Sequence, residues 1–364
     1  MRLAVLAQTL VENRRGGVPR PIWCTYLVSY RCNARCRMCD SWRLKPGREL
    51  ELDEVDRVFT DIGRLEVVRL TGGEPFLRSD FEALAARVFS RARPRVLHVT
   101  TNGSLPERIE AFARAFPAPE RLRFLVSLDG LAPEHDLNRG SEVTFERALE
   151  SVGRLLALRP AGVRVSVNHT VISARSLADA PALRAHFAPL GVDVQSVLAY
   201  ADSATYGIKL RGKRAEHLIH PRGYPLHPAL AGADVTGFVE AELRAAESIR
   251  DPFLRLGKRY YLRGLRARLL GRERPRGPRC VAVRSHLRIL PDGAVPVCQF
   301  NGEVVGNLRE QPLSAIWASA AAGRARGWVD ACPGCWAECE VLPSAILTGD
   351  ILRALLPEAR ADRG

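Results

Sequence analysis

The sequence is poor in lysine. Of its 54 basic residues only Lys45, Lys209, Lys213 and Lys258 are lysines; the rest are arginines spread along all 364 positions. A formal charge of +14 would suit a nucleic-acid partner. The even spread reads instead as a compositional bias, with no RNA-binding module and little aromatic interleaving. The one dense stretch, Arg255 to Arg279, holds ten basic residues and one acid, Glu273. A solvated helical face is the first expectation for it and an acidic partner or substrate the second. Long apolar runs are absent too: none reaches the roughly 18 residues of a membrane-spanning helix. The N-terminal MRLAVLAQTLVENRRGG has too short an apolar stretch for a signal peptide and no small-residue cleavage pattern. No membrane span and a cytoplasmic location are therefore expected. No repeat of fixed period occurs.

What is present is an ordinary globular composition, 46% apolar, with length enough for about two domains at roughly 150 residues each. Nine cysteines is an odd count, and eight of them fall in two tight groups. A secreted disulfide framework would spread an even number through a short chain. Clustered thiols in a reducing compartment point to metal or redox chemistry.

From Ile22 to about Leu198, short apolar runs alternate with amphipathic stretches. Ile22–Val28, Val67–Leu70, Val96–Thr100, Phe124–Leu128, Val163–Val171 and Val192–Leu198 read as buried parallel strands. Helical patterns lie near Asp53–Ile62, Asp80–Arg91, Pro106–Phe116, Phe145–Leu158 and Leu177–Phe187. Ser79 with Glu82, and Ser176 with Asp179, resemble capping boxes. Repeated strand–helix units predict an α/β fold with a parallel sheet, open or curled toward a barrel, whose ligands sit at the C-terminal strand ends. Residues 201–279 read as a connector, loop-rich and then helical over Val235–Arg250 and Leu254–Leu270. From Cys280 the chain is turn-rich and cysteine-bearing.

After the first strand comes Cys32-Asn-Ala-Arg-Cys36-Arg-Met-Cys39. Three thiolates on one loop can ligate three irons of a cubane and leave the fourth open, as a catalytic cluster requires. Structural zinc with a distant fourth ligand is the alternative for this loop alone; His98 and His169 have no spacing that ties them to it. The second strand ends in Leu70-Thr71-Gly72-Gly73-Glu74-Pro75. Its glycines permit a close backbone approach to a ligand, and Glu74 with exposed carbonyls can receive an ammonium group. A tight strand-to-helix turn is the plain alternative.

Together the CxxxCxxC loop and the GGEP segment resemble the radical S-adenosylmethionine (SAM) superfamily, over about residues 21–200. The resemblance implies a partial (β/α)6 parallel barrel of the radical SAM type. It implies a [4Fe-4S] cluster on Cys32, Cys36 and Cys39 whose open iron takes the amino and carboxylate groups of SAM. One electron from the cluster would then cleave SAM to methionine and a 5′-deoxyadenosyl radical. Gly72, Gly73, Glu74, Thr101, Asn102, Ser127, Asp129, Arg139 and Asn168 are the implied SAM-contacting positions, with His135, Asp136 and Thr170 nearby. Met38 stands where family members often carry an aromatic residue.

The second cysteine group spans Cys280, then twelve residues, Gly293, four more and Cys298, followed by Cys332-Pro-Gly-Cys335-Trp-Ala-Glu-Cys339. It resembles the auxiliary-cluster extension called SPASM, or its shorter form, Twitch. Five cysteines are too few for two fully cysteine-ligated cubanes, so one auxiliary [4Fe-4S] cluster is expected, on Cys280, Cys298 and two of Cys332, Cys335 and Cys339. A zinc ribbon is the alternative. Cys24 reads as a buried apolar residue. Trp317, Trp328 and Trp336 flank this group as core or as a redox shield.

The expected organisation is an extension over 1–20, a radical SAM core over 21–200, a connector over 201–279, a small C-terminal auxiliary-cluster domain over 280–345 and a tail over 346–364. The resemblance implies a low-potential electron donor such as a flavodoxin or ferredoxin. It ranks a peptide or amino-acid-like substrate slightly ahead of a small molecule such as an amino sugar, alcohol or lipid head group. A nucleic acid comes last. Only about 20 residues precede the first strand, too few for a fused leader-binding domain.

Overall fold

A computed structural model describes residues 3–45, 47–140, 144–209, 211–214, 219, 223–249, 251–271 and 277–356. After α1 (Leu3–Arg15), strands β1 (Trp23–Ser29), β2 (Val67–Gly72), β3 (Val96–Thr101), β4 (Leu122–Ser127), β5 (Arg164–Val171) and β6 (Val194–Leu198) alternate with helices. These are α2 (Leu52–Ile62), α3 (Phe81–Ala92), α4 (Pro106–Ala115), α5 (Ala132–Arg139), α6 (Phe145–Ala157) and α7 (Ala174–Phe187). The six strands pair in parallel in chain order. A seventh, β7 (His286–Ile289), pairs in parallel with β1 on its outer side. Short and lying beyond the connector, it carried no strand–helix rhythm from which to predict it.

One face of each strand is apolar. Cys24, Tyr26, Val28, Val68, Leu70, Leu97, Val99, Phe124, Val126, Val165 and Val167 share one core with Val55, Phe59, Phe81, Leu84, Ile109 and Phe112 of the helices. Each such side chain contributes about 1.5–3 kcal/mol on full burial, so a one-residue slip, which would turn a strand's whole set inward, is strongly opposed. The intervening residues face the concave side, as in a partial barrel.

After the barrel come α8 (Val235–Ala246), α9 (Pro252–Leu269), β8 (Ala294–Pro296), β9 (Val304–Asn307), α10 (Leu313–Ala318), α11 (Ala320–Ala331) and α12 (Glu338–Thr348). A buried network fastens this part to the barrel. Glu340 of α12 meets Arg288 at 2.7 Å and His286 at 3.3 Å, both on β7, and His286 Nε2 lies 3.0 Å from Thr25 Oγ1 of β1. Burial would raise the Glu340 carboxyl, but Arg288 and His286 overcome it and hold it down at about 2.

Three expectations need correction. Ser173, not Ser176, caps α7: its hydroxyl accepts from Ser176 N, Ser176 Oγ accepts from Ile172 N, and Asp179 accepts from Leu131 N. Asp80, not Ser79, precedes α3 and pairs with Arg78. The capping box that forms is at α2, between Glu51 and Glu54, where a carboxylate replaces the expected hydroxyl. Over its described residues the basic stretch is not simply a solvated face. Lys258 is buried and donates to Ser196 O, Arg263 to Ala354 O, and buried Arg268 to Gly334 O, while Arg259 and Arg279 pair with Glu247 and Asp330. Residues 272–276 lie outside the described residues. Among the described residues no helix is long and apolar enough to cross a membrane.

Candidate functional site

The loop after β1 carries Cys32, Cys36 and Cys39 in one small apolar cluster with Ala34 and Met38. Cys36 is buried; Cys32 and Cys39 keep partial access to solvent. Backbone amides turn onto the sulfurs, Ala34 N to Cys32 Sγ and Ser41 N to Cys39 Sγ, each at 3.4 Å. Burial pushes the Cys32 thiol up to about 11 and the Cys39 thiol to about 12, so metal binding here must displace protons.

The glycines of the GGEP segment serve this loop. A Cβ on Gly72 would fall 2.2 Å from Ser29 O, and one on Gly73 2.1 Å from Arg31 O. Their bareness admits the hydrogen bonds Gly73 N to Ser29 O (2.7 Å) and Glu74 N to Arg31 O (2.8 Å). The close approach expected toward a ligand is here made to the cysteine loop itself. Glu74 is fully engaged: its carboxylate accepts from Asn102 N (2.6 Å), Thr101 Oγ1 (2.8 Å) and Phe76 N (3.1 Å). Burial lifts its pKa to about 7 against those three donors. Asn102 in turn donates to Asn33 Oδ1, inside the cysteine loop, at 2.8 Å. The ends of β2 and β3 and the cysteine loop are thus one hydrogen-bonded unit.

α5 closes the other side. Arg35 N and Arg37 N donate to Arg139 O and Asn138 O. Arg139 Nε lies 2.7 Å from Asp129 Oδ2, both side chains being buried. Asn138 Nδ2 donates to the same oxygen at 2.6 Å and Thr170 N to Asp129 Oδ1 at 3.3 Å. Burial disfavours the Arg139 charge, but Asp129 and the nearby Cys36 outweigh it and raise its pKa. Burial and Arg139 push His135 down to about 4, and its Nδ1 accepts from Asp129 N. Ser127 and Asn168 are register partners on β4 and β5, and Asn168 Nδ2 donates to Thr170 Oγ1. Asp136 instead accepts from Phe145 N, outside this group.

Sequence reasoning missed α5 and the roles of Asn33, Asn138 and Tyr206. Tyr206 O accepts from Asp40 N beside Cys39, and its hydroxyl lies 3.5 Å from Thr71 Oγ1. Asn33 was discoverable as the amide inside the cysteine loop; Tyr206 sits in connector sequence with no distinguishing pattern. Replacing Asp129 by Asn should cost about 3–5 kcal/mol, because Arg139 is left as a buried charge without its counter-ion. Urea unfolding measures this, and a loss below about 1 kcal/mol contradicts it.

Burial raises all five C-terminal cysteines, and the Glu340 charge adds to it at each of them. The Cys298 and Cys280 charges also raise Cys335, that of Cys280 raises Cys298, and that of Cys332 raises Cys280. Cys339, pushed by burial to about 11, is drawn down by Arg288 and Arg69 and hydrogen-bonds Arg288. Gly334 N and Ala337 N turn onto Cys332 Sγ and Cys335 Sγ at 3.4 Å. Trp328 packs with Cys332, Cys335 and Cys339. Trp336 stacks on Tyr260 and donates to Tyr261 O, whereas Trp317 packs on the main core. Cys24, on β1, is wholly buried in that core. Among the described residues no three His, Cys, Asp or Glu side chains converge on one ion position.

The molecule is a parallel α/β barrel with one thiol loop at its strand ends and a second thiol group beyond β7. The sequence model of the radical SAM superfamily matches residues 26–184, and that of SPASM, an iron-sulfur cluster-binding domain, matches residues 280–339. The chain therefore contains a radical SAM domain and a C-terminal SPASM-type domain. It is similar to pre-heme d1 synthase of Dinoroseobacter shibae, 31% identical over 55% of this chain and 48% of that protein. It is also similar to GTP 3',8-cyclase of Aquifex aeolicus, 33% identical over 48% of this chain and 55% of that protein. The chain spans about half the length of the curated relatives it matches. Among solved structures, anSMEcpe with bound AdoMet is similar in fold, with TM-score 0.58 and 17% identity over 84% of this chain and 82% of that one.

Proposed function

We propose that this protein is a radical SAM enzyme in which Cys32, Cys36 and Cys39 hold the SAM-binding [4Fe-4S] cluster. The observation that carries the reading is the unit just described: three thiols on one loop, locked to GGEP and to the Asp129–Arg139 pair at the C-terminal strand ends. When bound, the cluster and SAM supply a 5′-deoxyadenosyl radical that takes hydrogen from the substrate. The chain's own part is positional. Gly72, Gly73 and Glu74 fix the thiol loop against β2; Thr101 and Asn102 brace Glu74; Arg139 places a positive charge beside Cys36. Ser127 and Asn168, at the upper lumen, are the side chains we assign to SAM or substrate contact.

We assign one auxiliary [4Fe-4S] cluster to Cys280, Cys298, Cys332 and Cys335, supported by the charges of Cys280 on Cys298 and Cys335, of Cys298 on Cys335 and of Cys332 on Cys280. Cys339 is then the thiol outside the ligand set. A low-potential donor of the flavodoxin or ferredoxin type would supply electrons. A cytoplasmic setting agrees with nine cysteines that form no disulfide.

For the substrate, a peptide or amino-acid-like molecule remains the first reading. A small anionic molecule is the second, favoured by the arginine-lined lumen described below. Incubating cluster-loaded protein with SAM, a reductant and deuterated candidates of each class tests both. Deuterium in 5′-deoxyadenosine identifies the substrate class. Its appearance from an RNA or DNA substrate alone would overturn this ranking.

A further inference from the structure

Parallel-barrel interiors are ordinarily filled by layers of bulky branched residues, which make them packed cores. One layer here is different. Across the strands, Arg288 of β7 is the register partner of Thr25, Thr25 of Arg69, Arg69 of His98, His98 of Arg123, and Arg123 of Arg164. The flanking residues on each strand, such as Val68 and Leu70 or Leu97 and Val99, lie in the outer core. Strand alternation therefore sends this whole layer into the lumen.

The layer carries more positive than negative charge, although Asp251 and Glu120 act on Arg123 and Cys339 lies within the charge of Arg69. Arg288 has Glu340, and Arg123 Nη1 donates to the carbonyls of Glu120 and Leu122. Arg69 makes no side-chain hydrogen bond or ion pair among the described residues. His98 Nδ1 is buried without a partner. Burial and the charges of Arg69 and Arg123 push its pKa down to about 3. Arg69, His98 and Arg123 nevertheless retain partial solvent access, so the lumen is not sealed at this level. Holding several guanidinium groups together in a semi-enclosed space with fewer counter-ions than charges is unfavourable. A ligand that brings the missing charge relieves it.

We propose that the layer Arg69–His98–Arg123, rimmed by Arg164, is a binding subsite for a doubly charged oxyanion of the substrate, a phosphate monoester or a pair of carboxylates. Planar guanidinium forks match either group. The proposal rests on the radical SAM reading only for what lies above it. Ser127 and Asn168 are four residues beyond Arg123 and Arg164 on the same strands, or about 13 Å along the lumen. The substrate is then elongated, with its reacting carbon at the strand ends and its anion about that far below.

Calorimetric titration of the cluster-loaded full chain at low salt, with inorganic phosphate and separately with succinate, tests this. Saturable binding of one equivalent is expected for at least one probe, and the probe that binds distinguishes phosphate from carboxylates. Arg69→Gln and Arg123→Gln should each weaken it at least tenfold. Arg69→Lys should keep more of the affinity than Arg69→Gln, which separates lost charge from a misfolded barrel. Arg324→Gln, an exposed arginine on α11, should bind as wild type does. Saturating SAM should not displace the probe. Binding that is absent, equal in Arg69→Gln and wild type, or competed away by SAM overturns the proposal. Because the assay needs no SAM cleavage, its failure leaves the assignment of Cys32, Cys36 and Cys39 untouched.

Discussion

Protein carrying Cys32→Ala, Cys36→Ala and Cys39→Ala together should form no 5′-deoxyadenosine above background when reduced anaerobically with SAM, while still holding iron at its second site. The thiols lie on one loop and would each ligate one iron, so their joint loss removes the cluster rather than weakening it. The rest of the unit survives in principle. The Gly72 and Gly73 contacts to the loop are made through backbone atoms of Ser29 and Arg31, and Glu74 is satisfied by Asn102, Thr101 and Phe76. None of these uses a sulfur. A melting temperature close to that of metal-free wild type would show that activity, not the fold, has been lost. Undiminished 5′-deoxyadenosine production by the triple variant would sink the central reading.

Much of this was legible in the sequence, for a physical reason. Strands buried on their helix-facing side leave short Val-, Leu- and Ile-rich runs, and six of the seven barrel strands were found that way. The thiol loop was equally plain, because ligand chemistry fixes residue type and close spacing together. What stayed hidden depends on contacts between distant segments. β7 is four residues long and belongs to the barrel only through its pairing with β1. The Asp129–Arg139 pair spans α5, a helix of eight residues with weak apolar periodicity. Arg69, Arg123 and Arg164 were lost among fifty arginines until register placed them in one layer. The reading of Arg255–Arg279 as a solvated face failed because arginine and lysine stems can line a core while their heads reach backbone carbonyls, as Lys258 and Arg268 do.

The second cysteine group offers the other large effect. Reconstituted wild type should hold about eight irons, as two four-iron clusters, with no stoichiometric zinc. Cys280→Ala with Cys298→Ala should remove roughly half and leave SAM cleavage without substrate turnover, because only the first thiol loop is needed for initiation. Cys339→Ala is the discriminating variant. Its thiol hydrogen-bonds Arg288 and lies within the charge of Arg69, and on the proposed ligand set iron should stay at about eight. Cys335→Ala, whose sulfur is influenced by Cys298 and Cys280, should lose roughly half. Iron quantitation with Mössbauer or EPR spectra of the reduced protein reads all of this directly. If Cys339→Ala loses half its iron while Cys335→Ala or Cys332→Ala keeps it, the ligand set is wrong. One tightly bound zinc in carefully loaded wild type would replace the auxiliary cluster with a ribbon. If Cys339 does lie outside the set, its thiol is left without iron and within the charges of Arg288 and Arg69. Alkylation by a negatively charged reagent should then be faster at Cys339 than at the four sulfurs held by iron, and an anionic probe that occupies the layer should slow it.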